Sequence, residues 1–383
     1  MKLLRYLLAL VLAAALFGCD SGSSDETPVF FPPVVQVPPR AVYTMNNSPG
    51  GNQILVFGRM ADGSLSVFGQ FATGGTGSGD GLNGSTNALE FQAATNRFFA
   101  VNAGDNTVSM MQLAADGSLS VLDRVNTGGV RPISVTVSND LVYVLNFGDA
   151  GTPANIVGFR VNGNSLQAIA NSTRGLSAPL PNPAQIEFNP AGNVLVVTER
   201  DTNFISTFTV NTATGLTAGP NFNGSAGATP FGFDFTPGGA LVVSEAQQAV
   251  VDGSTVSSYT VDAGTGNLNQ VSASVPDTET GACWVEVTPN GAFAYVTNTG
   301  SDSVSGYSVS NNGALALLDP GGVTGATGDG PVDEAITPEG DFLYVLNRTD
   351  GTLSIFAING NGSLTPQPTF AGLPATPVGL VAR

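Results

Sequence analysis

A short apolar strand ending in a polar residue occurs seven times along the chain, and this repetition restricts the fold more than any other feature. The copies are Tyr43-Thr44-Met45-Asn46, Phe99-Ala100-Val101-Asn102, Tyr143-Val144-Leu145-Asn146, Val196-Val197-Thr198-Glu199, Val242-Val243-Ser244-Glu245, Tyr295-Val296-Thr297-Asn298 and Tyr344-Val345-Leu346-Asn347, spaced 44 to 56 residues apart. A period near 50 suits a unit of four strands, which must stack on copies of itself to bury both faces. After each copy comes a strand with alternating apolar residues, such as Ile205-Ser206-Thr207-Phe208-Thr209-Val210, then a glycine turn and a fourth strand, as at Asp62-Gly63-Ser64-Leu65. Before it stands an element that usually begins with proline: Pro132-Ile133-Ser134-Val135, Pro183-Ala184-Gln185-Ile186, Pro230-Phe231-Gly232-Phe233 and Pro331-Val332-Asp333-Glu334. The order within a unit is therefore A (proline start), B, C and D.

The ends of the chain complete the count. The B strand at Tyr43 has no A strand before it, whereas Pro377-Val378-Gly379-Leu380-Val381 is an A strand with nothing after it. The C-terminal strand is expected to join the first unit and remove the open edges of a partial ring. The expectation is an all-β fold, a closed seven-bladed β-propeller of four-stranded blades over residues 41–383. With 49 Gly and 24 Pro in 383 residues, turn formers are plentiful enough for it.

Lys2 and Arg5 precede an apolar run from Tyr6 to Phe17, too short to span a bilayer and laid out as an export signal. It ends in Leu16-Phe17-Gly18-Cys19, which resembles the lipobox of bacterial lipoproteins; the alternative is an ordinary signal peptide with an incidental cysteine. The resemblance implies a signal peptide at 1–18, a lipid on Cys19 that holds the chain at the membrane, and a Pro/Ser-rich tether at 19–40. That places the protein in the bacterial cell envelope, facing the periplasm. Asp20 resembles a retention signal for the inner membrane in some lipoproteins, a rule that does not transfer across all bacteria. Cys283, the only other cysteine, is expected to be a buried free thiol.

Formal net charge is −17, and the basic residues are 11 Arg and Lys2. With no basic stripe to displace counterions, nucleic acid is excluded as a partner. The mature chain would contain neither Lys nor His, which excludes Schiff-base chemistry, histidine general bases, Ser-His-Asp systems and histidine-ligated zinc. A monomer is expected.

The repeats, with a literal Tyr-Val-Thr-Asn at Tyr295–Asn298, resemble the bacterial lactonase-like propeller family, which includes propeller-type 6-phosphogluconolactonases, carboxymuconate cyclases and YVTN-repeat surface proteins. The resemblance covers residues 41–383 and implies a site on one rim of the channel, near A-strand starts and B-strand ends. It also implies side chains that this chain lacks. Where the family has Pro-His-Ser-Val, Pro132 is followed by Ile133; a Pro-Arg-His start is Pro183-Ala184-Gln185; a further Arg after proline is Phe231; an Asn-Glu pair is Glu199-Arg200.

A different polar set remains on that rim. Glu199 and Glu245 replace Asn in adjacent blades, and Arg131, Gln185, Trp284, Asn298 and Asp333 surround them. Either the two glutamates form a site, or B-strand ends favour Asn and Glu for side-chain bonds to the B–C turn. A second acidic series, Glu90, Glu187, Asp234 and Glu286, occupies equivalent A-strand positions. It either attracts a cation such as Ca²⁺ to the channel or lines a solvated wall. No other cofactor is expected. Two functions stay open. One is a lactonase-type hydrolase or isomerase, with Glu199 or Glu245 as general base and Arg131 or main-chain amides holding an oxyanion. The other is a non-catalytic propeller that binds a small molecule or an envelope protein at its rim.

Overall fold

The computed structural model describes residues 40–383 apart from Asn83, so the expected signal peptide, Cys19 and almost all of the tether lie outside the described residues. These residues form seven antiparallel sheets with blade order D-C-B-A. Blade 1 combines the C-terminal strand Val378–Ala382 with Ala41–Met45, Gln53–Arg59 and Leu65–Ala72. Blades 2 to 7 begin with A strands Leu89–Gln92, Pro132–Ser138, Pro183–Phe188, Pro230–Phe235, Ala282–Val287 and Pro331–Ile336. Each A strand packs on the next, the last on Val378–Ala382 and that on Leu89–Gln92, so the seven close around an axis. The chain is the seven-bladed propeller that its repeats specify.

Closure uses a main-chain bond pair at one end of a strand pair and a side-chain bond at the other. Ala41 N donates to Arg383 O and Arg383 N to Ala41 O, both at 2.8 Å, and Thr376 Oγ1 donates to Asn46 O. Side chains repeat the same seam from blade to blade. Tyr143, Tyr295 and Tyr344, all buried, donate their hydroxyls to the C–D turn carbonyls of Gly215, Gly362 and Gly63 in the following blade. The last of these crosses from blade 7 to blade 1, so the closing seam is built like an ordinary one. Gly63 sits at φ 83°, and a Cβ there would collide with Phe342; this position needs glycine for both reasons.

The turns follow from their residues. Gly192, Gly239, Gly291 and Gly340 each donate a main-chain N–H to the residue three earlier, closing the A–B turns with Pro or Thr-Pro at their start. In the C–D turns Asp62 and Asp116 accept from the N–H of Ser64 and Ser118 at 3.0 Å, which pins Gly63 and Gly117 in the left-handed region.

Candidate functional site at the channel mouth

One irregularity recurs where the A strands begin. In blades 4 to 7 the first A residue pairs with the last B residue, as Pro183 does with Glu199, and the register then slips by one residue. Blade 3 slips likewise between Pro132 and Ser134. Such a bulge re-aims the residues inside it. Here it redirects Ala184-Gln185, Phe231-Gly232, Cys283-Trp284 and Val332-Asp333 at the channel mouth. Beyond it the strands resume normal pairing. Glu90, Glu187, Asp234 and Glu286 then stand opposite Phe99, Val196, Val242 and Tyr295, which establishes them as equivalent positions.

Glu199 and Glu245 are fully buried, and every partner of each comes from its own blade or the loop leading into it. Glu199 accepts from Ser177 N and Oγ, from Thr202 Oγ1 at 3.2 Å and from Ser206 Oγ at 2.5 Å. Glu245 accepts from Gly227 N at 2.7 Å and from the hydroxyls of Ser225, Thr255, Ser257 and Ser274. Asn298 occupies the same place in blade 6, donating to Ser303 and Ser305 Oγ. These B-strand ends stitch B to C and to the preceding loop.

The other rim residues are placed as follows. Gln185 bridges two blades: its Oε1 accepts from Phe233 N at 2.9 Å and its Nε2 donates to Phe233 O and to Glu187. Trp284, buried, packs against Phe231 with ring centres 5.2 Å apart. Asp333 accepts from Glu334 N at 2.9 Å, while its Oδ2 is buried without a hydrogen-bond partner. Arg131, held at φ 56°, reaches across the mouth to an ion pair with Asp80 at 2.6 Å.

Asp80 belongs to the glycine-rich loop between blades 1 and 2, and that loop covers the mouth. Gly77 and Gly79 donate to Ser48 and Asn47 O of blade 1, and Gly81 lies against Arg348 of blade 7. Asp80 pairs with Arg131 of blade 3, and Thr86 N donates to Ala184 O of blade 4 at 3.2 Å. Gly84 lies on Phe231 of blade 5, and Ser85 O accepts from the Trp284 indole of blade 6 at 3.2 Å. A segment of blade 2 that touches all six other blades has to cross the axis. Gly77 permits the crossing, since a Cβ there would collide with the Asn47 carbonyl.

Beneath this strap the channel wall is acidic. Each of Glu90, Glu187, Asp234 and Glu286 keeps a small contact with the channel, but the surrounding blades bury most of it. Burial, with the Asp234 charge adding, pushes Glu90 up to about 8. Burial likewise raises Asp234 to about 6, against the pull of the Val287 and Phe235 N–H groups. Glu187 and Glu286 are raised well above the usual range, first by burial and then by Asp234; Asp333 and Glu334 are raised as well, again chiefly by burial. Among the described residues no group of three or more acidic or thiol side chains stands close enough together to hold a metal ion.

Outside the strap, between blades 4, 5 and 6, lies a cleft of about 400 Å³ lined by Asn182, Arg200, Phe231, Gln248, Thr280 and Thr299, with Cys283 at its side. Arg200 is its cationic group. Its guanidinium sits 4.7 Å above the Phe231 ring centre, and its Nε donates to Asn182 O at 3.0 Å. Burial lowers the pKa of Arg200, while Cys283 and Asp201 oppose that shift. The Cys283 thiol is free and buried, and burial pushes it up to about 11 against the Thr299 hydroxyl and the Arg200 charge. On the cleft's outer side Gln247, Gln248 and Ala249 are all left-handed, at φ 47°, 56° and 57°. Three such residues in succession are costly, and the blade 5 loop holds them through Ala228 O and Thr229 Oγ1.

The family model described as "Lactonase, 7-bladed beta-propeller" matches this sequence over residues 162–283 and 275–376. The chain belongs to that lactonase family. Solved structures agree in fold. A putative 6-phosphogluconolactonase from Bacteroides uniformis has a TM-score of 0.72 at 19% identity, over 90% of this chain and 99% of that one. The periplasmic gluconolactonase of Pseudomonas aeruginosa has a TM-score of 0.68 at 18% identity, over 90% and 98%. A Lactobacillus plantarum protein scores 0.71 at 17% identity, over 90% and 99%. No curated protein matches the sequence.

In this lactonase family member, the positions singled out by the resemblance are packed or hydrogen-bonded inside the blades. Ile133 and Ala184 are wholly buried, Phe231 carries Arg200, and Glu199 is enclosed by hydroxyls. Sequence reasoning noted Arg200 only as a displaced neighbour of Glu199 and missed the cleft, because Asn182, Gln248 and Thr280 come from loops with no repeating pattern. The strap had a legible signal in Gly77-Ser78-Gly79-Asp80-Gly81, but its path across the axis did not.

Proposed function

We propose that this lactonase-family propeller is tethered in the bacterial envelope and binds a small hydroxylated carboxylic acid, or its lactone, in the cleft around Arg200, without the hydrolytic chemistry of the enzymes it resembles. The observation that carries the reading is the loss of a free rim base: both candidate glutamates already accept four or more hydrogen bonds inside their own blades. Arg200, half-buried and bonded to Asn182, supplies a cation for a carboxylate, and Gln248, Thr280 and Thr299 supply side chains suited to hydroxyl groups. Export is supported by the charged start and short apolar run before Cys19, and by the likeness to the periplasmic gluconolactonase of Pseudomonas aeruginosa.

Calorimetric titration with D-gluconate and an assay of gluconolactone hydrolysis test the reading together. Binding is expected for the wild type, with a loss of at least about tenfold in Arg200→Ala, the scale of one charge-assisted contact. No turnover above the uncatalysed rate is expected. Equal affinity in Arg200→Ala would sink the cleft assignment. Turnover with a pH profile centred near 6 would instead point to Asp234 as a general base. In cells, Cys19→Ser is expected to abolish labelling by a fatty-acid analogue.

A further inference from the structure

The cleft between blades 4, 5 and 6 has unlike sides. At its blade 4 end stands the Arg200 guanidinium, laid over Phe231 and bonded to Asn182. Its base is apolar, formed by Phe231, Ala246 and Cys283, all buried. The hydroxyls at its blade 6 end are already engaged: Thr299 Oγ1 donates to Pro331 O at 2.8 Å, and Thr280 Oγ1 accepts from Asp252 N at 3.0 Å. What remains of their bonding capacity suits a single ligand hydroxyl better than a polyol. The outer side is the B–C loop of blade 5. It is tied to its own blade by Gln247 N to Ala228 O and Gln248 N to Thr229 Oγ1, and to blade 6 by Asp252 at Thr280. Gln248 and Ala249 line the cleft, and next to them Val250 and Val251 are 59% and 75% exposed. Among the described residues they are the one adjacent pair of large apolar side chains left in water. A single exposed valine is ordinary, but this pair stands on three consecutive left-handed residues, Gln247 to Ala249, a costly backbone that fixes where the pair projects.

We infer that Ala249, Val250 and Val251 form an apolar lip, and that the cleft selects, among the acids proposed above, a monohydroxy acid with an unbranched alkyl tail. The inference rests on that reading of the cleft. A carboxylate complements the cation at the blade 4 end, one hydroxyl meets Thr280 and Thr299, and the tail crosses the apolar base to the lip, where it takes the two valines out of water. A sugar acid uses only the polar groups and leaves the lip exposed.

Calorimetric titration of the full-length protein with β-hydroxybutyrate, β-hydroxyhexanoate and β-hydroxyoctanoate tests the lip. Each added CH₂ is expected to tighten binding to the wild type about two- to fourfold, the range for a methylene partly or fully withdrawn from water. In the double variant Val250→Ser, Val251→Ser that gain is expected to fall below about 1.5-fold per CH₂, with β-hydroxybutyrate bound within about twofold of the wild type and melting unchanged. A wild type that binds all three acids equally would overturn the lip, while Arg200-dependent binding of D-gluconate left the acid site standing. A chain-length gain of the same size in the variant would overturn it as well. Should the variant not fold, the wild-type series alone decides. If neither these acids nor D-gluconate bind, the reading of the cleft falls first, and the lip with it.

Discussion

Glu245 shows how a buried carboxyl is held by the residues around it. Its carboxyl takes the place of Asn at a B-strand end, and the local sequence answers with serine and threonine: Ser225, Thr255, Ser257 and Ser274 supply hydroxyls, and Gly227 a main-chain N–H. Burying such a group is tolerable only when its lone pairs are occupied. Glu245→Gln replaces one acceptor oxygen with a donor that faces donors, and is expected to cost about 1–3 kcal/mol. Glu199→Gln, with fewer donors around it, is expected to cost less. Thermal melts check the order, and both variants are expected to bind D-gluconate like the wild type. Loss of binding with unchanged melting would return these residues to the site.

At the scale of the element, the C-terminal strand decides whether the ring is closed. Val378 and Leu380 are buried, and the strand lies between the A strands of blades 7 and 2 while pairing with Ala41–Met45. Deleting residues 376–383 exposes the edge of the first B strand and the side chains that packed on it. The expected loss exceeds about 4 kcal/mol, well outside the range for trimming a surface tail. Coincident melting curves for the two chains would mean that closure contributes nothing. The tyrosine seam gives the same lesson in miniature, since Tyr344 ties blade 7 to Gly63 of blade 1 by the bond Tyr295 makes between blades 6 and 7.

For the whole molecule, the acidic channel sets how stability depends on pH. Glu90 titrates at about 8 and Asp234 at about 6 in the folded chain, and Glu187, Glu286, Asp333 and Glu334 are raised too. An acid whose pKa is raised by folding binds more protons folded than unfolded, so its stabilising effect is complete below its unfolded pKa and is lost as pH rises through the folded one. Surface Asp62, Asp116 and Asp262 are shifted the other way, chiefly by hydrogen bonds from Ser64, Ser118 and the Thr265 N–H, and favour folding only above the acid range. The melting temperature is therefore expected to peak near pH 5 and to fall between about pH 5 and 8, by the equivalent of a few kcal/mol. The net charge of −17 deepens that fall through self-repulsion. A melting temperature that is flat or rising over this interval would show that the channel acids are hydrated and unperturbed.

The sequence by itself determined the ring. Period-two strands, proline starts and glycine turns are local patterns, each set by residues within a few positions of one another, and counting them yields seven blades and a displaced A strand. It also placed the channel acids, because Glu90, Glu187, Asp234 and Glu286 keep one register position relative to the B strands. Only the tertiary structure decided what the mouth is. Ser85 and Trp284 are 199 residues apart in sequence, and Asp80 and Arg131 are 51 apart. Such contacts depend on where a loop without periodicity crosses the axis. The bulge at each A-strand start had the same effect at shorter range. One extra residue re-aimed Gln185 into a bond between blades and Trp284 under the strap. Repetition specifies strands because every copy repeats the same local balance, whereas the site lies in the segments that do not repeat.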